Sequence, residues 1–314
     1  MGPLDLDRTA WEMKPIEALA AFDPFAAKDA EEGAGHRYLL LDVFTTTPLV
    51  GNQLAVFTDG HSISPLDMQR LARELKLSES VFVLPPAAPG AEVAVRIFTP
   101  SAELPFAGHP VLGTAVVVGS ALGRERVTLE TGAGAVTVSL SSHEGRMRSG
   151  WMRQPIPTWA PYEREVELLG ALGVEGSGLP VEVYENGPRH VFVELESEQA
   201  VAELRPDLGA LDGLGEIGVS CFAGAGGRWK TRMFAPGLGV PEDPATGSAA
   251  GPLVLHLCRH GRIEFGAEIE ISQGMEIARP SLLRACAQGS AEQIESVQVG
   301  GSAVIVARGE FLLI

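Results

Sequence analysis

Two stretches of the sequence decide the fold, Arg96-Ile-Phe-Thr-Pro100 and Arg232-Met-Phe-Ala-Pro236. The second repeats the pattern of the first at an offset of 136 positions, and a further proline follows each copy at that same offset, Pro105 and Pro241. Recurrence of a motif at one fixed spacing is the sign of an internal repeat. The chain is therefore predicted to consist of two similar halves.

Each copy of the motif is followed by a long stretch of small and apolar residues. These stretches run from His109 to Leu122 and from Asp243 to Leu257. A helix without a polar face belongs inside a core rather than on a surface. Each half is therefore predicted to be a set of strands around one buried helix.

The starts of these two helices are the first candidate site. Proline is favoured at the first helical position, so Pro110 and Pro244 predict that His109 and Asp243 are matching N-caps. A helix N-terminus has unpaired N–H groups and a partial positive charge. Two such ends that face each other across a domain interface would bind a carboxylate or an oxyanion. Capping alone would explain the same two residues without any chemistry.

Short β-type runs surround both helices. In the first half an amphipathic helix is predicted from Ser64 as N-cap to Leu75. The predicted strands are Leu39–Phe44, Leu54–Phe57, Val81–Leu84, Val93–Phe98, Arg126–Glu130, Gly134–Leu140, Ile269–Ile271, Val297–Val299 and Ala303–Ala307. We expect an N-terminal extension over residues 1–35, a first domain over 36–150 and a second over 151–314, with the last strand able to return to the first domain.

Composition excludes several classes of function. Forty acidic residues against 24 basic ones give a formal charge of −16, which disfavours nucleic acid as a partner. The longest apolar runs, such as Val111–Leu122, are too short to span a bilayer. The first thirty residues carry acidic side chains that do not fit a signal peptide, and three widely spaced cysteines indicate no disulfide framework or zinc site. A cytoplasmic protein without a membrane partner is expected.

Glu79 is the candidate for proton transfer. It lies in Leu77-Ser-Glu-Ser-Val-Phe-Val83, between the end of the predicted helix and an apolar strand. A carboxyl group removed from water there would have a raised pKa, in the range useful for general acid and base catalysis. A solvated loop glutamate is the alternative.

Other kinds of site find little support in the sequence. His256 and His260 could share a helix face, but the glutamate of the HExxH motif is missing between them, so no metal is expected. The glycine-rich segments at 132–134 and 224–227 match neither the dinucleotide nor the P-loop pattern. We therefore expect no cofactor.

Taken together, five motifs resemble the phenazine-biosynthesis PhzF-like family, which shares the diaminopimelate epimerase type of fold. The motifs stand in the family's order as Leu41-Asp-Val-Phe-Thr45, Gly51-Asn52, Leu77-Ser-Glu-Ser80, Pro105-Phe-Ala-Gly-His-Pro110 and Asp243-Pro-Ala-Thr-Gly-Ser248. The resemblance implies an α+β fold of two pseudo-symmetric domains, each a strongly curved sheet or barrel around a central buried helix. It also implies an active site between the domains and a homodimer.

The resemblance assigns roles to six residues. By motif match Glu79 is the acid and base that moves a proton, and His109 and Asp243 position or polarise the substrate. Backbone or hydroxyl contacts to the substrate fall on Gly108, Gly247 and Ser248. The implied function is a cofactor-independent isomerase acting on a small-molecule substrate that bears a carboxylate.

Two alternatives remain open. One is a two-base epimerase or racemase for an amino-acid-like substrate. Thiol-dependent epimerases of this fold use a cysteine at each helix start, and Ala107 and Pro244 are expected at those positions here, which disfavours the two-thiol form. The other is a noncatalytic relative that binds a small ligand. The sequence also departs from the family at Gln53, where proline is usual.

Overall fold

The computed structural model describes residues 35–143 and 146–313. The expected extension therefore lies, except for Gly35, outside the described residues. Both halves are strands around a helix, with short 3₁₀ turns at Gly60–Ser62, Pro236–Leu238 and Met275–Ile277.

The first half forms a closed barrel. Its strands are β1 His36–Val43, β2 Asn52–Phe57, β3 Glu79–Leu84, β4 Val93–Phe98, β5 Glu103–Leu104, β6 Arg126–Thr131, β7 Gly134–His143 and β8 Arg146–Gln154, and its helices are α1 Pro65–Leu75 and α2 Gly108–Leu122. Neighbours pair in the order β1, β2, β3, β4, β6, β7, β8, and the β2–β3 and β4–β6 pairs are parallel. The last strand of the chain closes the ring between β8 and β1.

The second half repeats this order of strand pairing around its own helix and is called the second barrel below. Its strands are β9 Thr158–Pro161, β10 Glu182–Glu185, β11 Arg189–Glu194, β12 Gly218–Ala225, β13 Arg228–Ala235, β14 Val240–Asp243, β15 Glu268–Gln273, β16 Ser281–Gly289 and β17 Ile294–Phe311, and its helices are α3 Glu165–Leu172, α4 Glu198–Glu203, α5 Leu208–Asp212 and α6 Gly247–Arg259. Pairing runs β10, β11, β12, β13, β15, β16, β17 with parallel pairs at β11–β12 and β13–β15, as in the first half. The predicted α+β fold with two similar halves is confirmed.

Strand β17 connects the two barrels. Its first part pairs with β16 and with β8, and its second part, from Ala303 to Phe311, pairs with β1. Because one strand is shared by both sheets, the two halves are held edge to edge by continuous backbone hydrogen bonds. The site described below lies between them.

Helices α2 and α6 are the centres of the two barrels. Fourteen of the fifteen residues of α2 are buried, and so are twelve of the thirteen residues of α6. Each fully buried valine or leucine contributes about 1.5–3 kcal/mol through removal from water. Helix α1 is amphipathic instead and packs on the first barrel, with the Ser64 hydroxyl accepting from the Asp67 backbone N–H as predicted.

The prediction that His109 and Asp243 cap these helices is wrong. The N-cap of α2 is Ala107 and that of α6 is Thr246, and neither makes a side-chain cap bond. His109 is the second residue of α2, and Asp243 is the last residue of β14. The second half has three more residues between the repeated motif and its helix, so equal offsets do not align the helix starts.

Candidate active site

The N-termini of α2 and α6 meet at the interface of the two barrels. A Cβ atom added to Gly108 would lie 2.5 Å from the Gly247 carbonyl carbon and 2.6 Å from the Ser248 nitrogen. The two backbones are therefore in direct contact, which only glycine permits at this position. No side chain caps either helix, so the first backbone N–H groups of both are left without such a partner. Since the two N-termini are in contact, both partially positive helix ends face the same small space.

Glu79 and His109 form the centre of this space. Glu79 is the first residue of β3, and its side chain is 14% exposed. Its Oε2 atom lies 3.5 Å from Nε2 of His109, and among the described residues neither atom has a hydrogen-bond partner. The Asn52 amide nitrogen lies 3.3 Å from Nδ1 of His109, but its two hydrogens are donated at 2.9 Å to Asp243 and to the Ala245 carbonyl, so none remains for the imidazole.

Burial governs the ionisation of this pair. Removal from water raises the pKa of Glu79 well above its ordinary value, and the nearby negative charge of Asp243 raises it further. Burial lowers the pKa of His109 to about 3, although a backbone hydrogen bond with Gln53 opposes this shift. His109 is therefore neutral near pH 7, so the contact is not an ion pair.

Asp243 is held by groups from both halves of the chain. Its carboxylate accepts hydrogen bonds from the hydroxyl of Thr246 at 2.6 Å, the hydroxyl of Ser78 at 2.9 Å and the amide of Asn52 at 2.9 Å. Burial raises its pKa to about 6, against the lowering effect of these three donors. Since Asp243 and Glu79 repel each other when ionised, their protons titrate as a coupled pair.

Several residues of this network were missed from the sequence. Asn52 was interpreted as part of a turn, but it is the first residue of β2, is 1% exposed and also donates to the Ala245 carbonyl at 2.9 Å. Gln273 donates to the Asp243 carbonyl at 2.8 Å and accepts from the Thr246 backbone N–H at 3.2 Å. A polar residue inside or beside an apolar strand is the signal that could have indicated them, because buried polar groups need partners.

The start of α6 has its own set of buried polar partners. Gln154 donates to the carbonyl of Gly247 at 2.8 Å, and Asn186 donates to that of Ser248 at 3.0 Å. The Oγ atom of Ser248 lies 3.0 Å from Nε2 of His190 on β11. These contacts fix the orientation of the first turn of α6.

A small cavity of about 40 Å³ lies at this point. All six residues named from the sequence line it: Glu79, Gly108, His109, Asp243, Gly247 and Ser248. The structure thus brings together residues from both halves of the chain.

A second cluster of ionisable residues lies away from this cavity. Glu182, His256 and His260 place their ligand atoms within 4.8 Å of one another. However, Arg259 donates to Glu182 at 2.7 Å and stacks 4.1 Å above the ring of Trp159. A guanidinium group supplies the positive charge that a metal ion would bring, so the cluster is an ion-pair network.

The paired barrels and the carboxyl group enclosed between them define the class: this is a protein of the diaminopimelate epimerase-like fold. Within the part of the chain that the structure describes, no helix combines the length and the apolar character needed to cross a bilayer.

The chain belongs to the PhzC-PhzF family of phenazine biosynthesis-like proteins, whose family model matches residues 41–309. It is 52% identical over 278 residues to a trans-2,3-dihydro-3-hydroxyanthranilate isomerase of Pseudomonas fluorescens, covering 88% of this chain and 100% of the relative. A predicted epimerase from Pseudomonas aeruginosa superposes with a TM-score of 0.75 at 34% identity, over 89% of this chain and 100% of that one. A PhzF family protein of Bacillus anthracis shares the fold, with a TM-score of 0.76 at 23% identity over 88% of this chain and 99% of the other.

The family resemblance and the prediction of an isomerase are confirmed. The chain is a small-molecule isomerase, and the epimerases among its structural neighbours support the two-base alternative only weakly. The expectation that Pro244 occupies the position of the second cysteine of thiol-dependent epimerases is corrected by the observed helix starts. The residue that matches Ala107 at the start of α6 is Thr246 and not Pro244, and neither position carries a thiol.

Proposed function

We propose that this enzyme isomerises trans-2,3-dihydro-3-hydroxyanthranilate, or a closely similar ring that bears a carboxylate, with Glu79 as the proton-transfer group. The substrate comes from the name of the relative that is 52% identical. The role of Glu79 is supported by its burial at the meeting point of two helix N-termini.

The name of the compound defines the chemistry required. It is a six-membered ring with a carboxylate, an amino group, a hydroxyl group and two saturated carbons. Loss of a proton from a saturated carbon beside the double bonds leaves an anion that is delocalised along the ring. Return of that proton to a different carbon shifts a double bond, and the number of electrons and atoms is unchanged. The reaction therefore needs no redox cofactor, and a single carboxylate can both accept and return the proton.

The environment of Glu79 suits this double task. An acid and base group works best when its pKa lies near the working pH, because both protonation states are then accessible. Burial moves the pKa of Glu79 upward, towards that range. The carboxylate form is a stronger base there than in water, and the acid form returns the proton after the transfer.

The other residues bind and orient the substrate. The backbone N–H groups of Gly108, Gly247 and Ser248 lie in the uncapped first turns of the two helices, where a carboxylate is stabilised. Neutral His109 faces Glu79 at 3.5 Å and positions the substrate beside it. Asp243 holds the two halves together through Ser78 and Asn52, which keeps Glu79 in place.

One observation carries the proposal: the Oε2 atom of Glu79 is buried, unpartnered within the described residues and 3.5 Å from His109. The variant Glu79→Gln keeps the shape of the side chain and removes its ability to carry a proton. We expect turnover of trans-2,3-dihydro-3-hydroxyanthranilate, the dihydro substrate, to fall about 10²- to 10⁴-fold with folding intact. In D₂O, NMR should show deuterium in the wild-type product at the carbon that receives the proton, to the extent that the proton on Glu79 exchanges with solvent before its return, and none from Glu79→Gln.

The matched control is Glu163→Gln, because Glu163 is exposed on the second half. It should leave turnover unchanged. If Glu79→Gln turns over the substrate at the wild-type rate, Glu79 is not the proton-transfer group.

We also propose that the enzyme is a cytoplasmic homodimer, as the family resemblance implies. All three cysteines are free, which fits a reducing compartment. Sedimentation equilibrium tests the assembly, since a mass near the 33.1 kDa of one chain would contradict the dimer.

A further inference from the structure

A histidine that no sequence motif indicates faces the same cleft from the second barrel. His190 lies on β11, is 2% exposed and lines the cavity described above. Its Nε2 atom contacts the Ser248 hydroxyl at 3.0 Å. Its Nδ1 atom is buried and has no hydrogen-bond partner among the described residues. A buried polar atom without a partner at a ligand cavity requires an explanation.

The pseudo-symmetry of the two barrels relates this histidine to the acid and base group. In the first barrel Glu79 pairs with Leu54 across the parallel β2–β3 ladder. In the second barrel Gly218 pairs with His190 across the equivalent parallel β11–β12 ladder. Ser80, which follows Glu79, pairs with Phe98 of the first motif. Val219, which follows Gly218, pairs with Phe234 of the second motif. Gly218 is therefore the counterpart of Glu79.

The ring of His190 occupies the space that this glycine leaves. A Cβ atom on Gly218 would lie 2.6 Å from Nδ1 of His190 and 3.3 Å from the sulfur of Met233. Where the first barrel places a carboxyl group, the second barrel thus places an imidazole nitrogen contributed by the neighbouring strand. Met233 offers no strong donor to Nδ1.

We propose that His190 binds the substrate through Nδ1, which accepts a hydrogen bond from an amino or hydroxyl group on the side of the ring opposite Glu79. The identity of that ring rests on the proposed function. In this arrangement Nε2 donates its proton to the oxygen of Ser248, and the Ser248 hydroxyl remains able to donate to the substrate carboxylate. Burial also lowers the pKa of His190 to about 4, so the ring is neutral near pH 7 and has one acceptor nitrogen.

Two variants distinguish the contribution of Nδ1 to binding from that of Nε2. The amide of His190→Asn reaches the place of Nδ1, whereas that of His190→Gln reaches the place of Nε2 and keeps the contact with Ser248. Binding is measured by calorimetry with 3-hydroxyanthranilate, the planar aromatic analogue, and with benzoate, which has the carboxylate but neither donor. His190→Gln should weaken 3-hydroxyanthranilate about 10- to 100-fold and leave benzoate unchanged, because the loss of one buried hydrogen bond has this size. His190→Asn should retain most of the affinity.

The reverse result, full affinity in His190→Gln and loss in His190→Asn, would show that His190 acts only by orienting Ser248, and equal affinity in both variants would also overturn the proposal. A measurement on the wild-type protein does not depend on the folding of a variant. The ¹⁵N resonance of Nδ1 should shift on addition of 3-hydroxyanthranilate and stay unchanged with benzoate, and no shift with either ligand contradicts the proposal.

The two proposals fail in different ways. If the wild-type enzyme does not turn over trans-2,3-dihydro-3-hydroxyanthranilate but its Nδ1 resonance shifts with 3-hydroxyanthranilate, the proposed function is refuted and the role of His190 stands. Normal turnover without an Nδ1 response retains the function and refutes the role of His190.

Discussion

Replacing Gly108 by alanine tests whether the two helix starts must touch for the enzyme to work. The added Cβ would lie 2.5 Å from the carbonyl carbon of Gly247, 2.6 Å from the nitrogen of Ser248 and 2.7 Å from the Cα atom of Gly247. Ordinary contacts of a Cβ atom begin at 3.4 Å. All three neighbours are backbone atoms, so no side chain can rotate away, and the helix ends must separate by about 1 Å.

This separation has two measurable effects. Misplacement of reacting groups by about 1 Å costs on the order of 10²-fold in rate, so kcat for the dihydro substrate should fall by about that factor. The overpacked contact should also lower the free energy of unfolding by about 1–3 kcal/mol. Steady-state kinetics and urea unfolding, followed by circular dichroism, give the two numbers separately.

The matched control is Gly170→Ala in α3, where an added Cβ would meet nothing within 4 Å. It should leave kcat unchanged and raise the free energy of unfolding by about 0.5–1 kcal/mol, because alanine is the better helix former. A Gly108→Ala enzyme with wild-type kcat would refute the argument that direct contact of the helix ends positions the catalytic groups.

Two further predictions concern pH. Because the folded pKa of Glu79 is raised above 4.5, the stability contributed by this carboxyl group is fully present below pH 4.5 and is lost as pH rises through the folded pKa. In urea unfolding, Glu79→Gln should therefore gain stability relative to wild type as the pH is raised from 4 to 8. A difference that stays constant with pH would contradict the burial of Glu79 as an acid. Asp243→Asn removes a negative charge that raises the pKa of Glu79, so the acidic limb of the remaining kcat/KM profile should move to lower pH, and a shift to higher pH would refute the coupling of the two carboxyl groups.

Much of the fold was accessible from local patterns. The repeated motif at Phe98 and Phe234 indicated the duplication, and the apolar character of the segment after each copy predicted a buried helix. These signals depend on residues close together in the chain, and burial of a helix on all sides leaves no polar face to interpret differently. The exact helix starts were predicted wrongly because proline was taken to mark the first helical position, whereas Pro110 is the third residue of α2 and Pro244 stands three positions before α6.

The sequence alone determined the class of each half and the candidate residue Glu79, because hydrophobic patterning and a carboxyl group beside an apolar strand are local properties. Only the tertiary structure decided which groups meet. Asp243 accepts from Ser78, 165 positions away, and from Asn52, 191 positions away, and His190 reaches the cleft because Gly218 leaves it room. Such contacts follow from how two barrels that share β17 pack against each other, and no spacing along the chain encodes that packing.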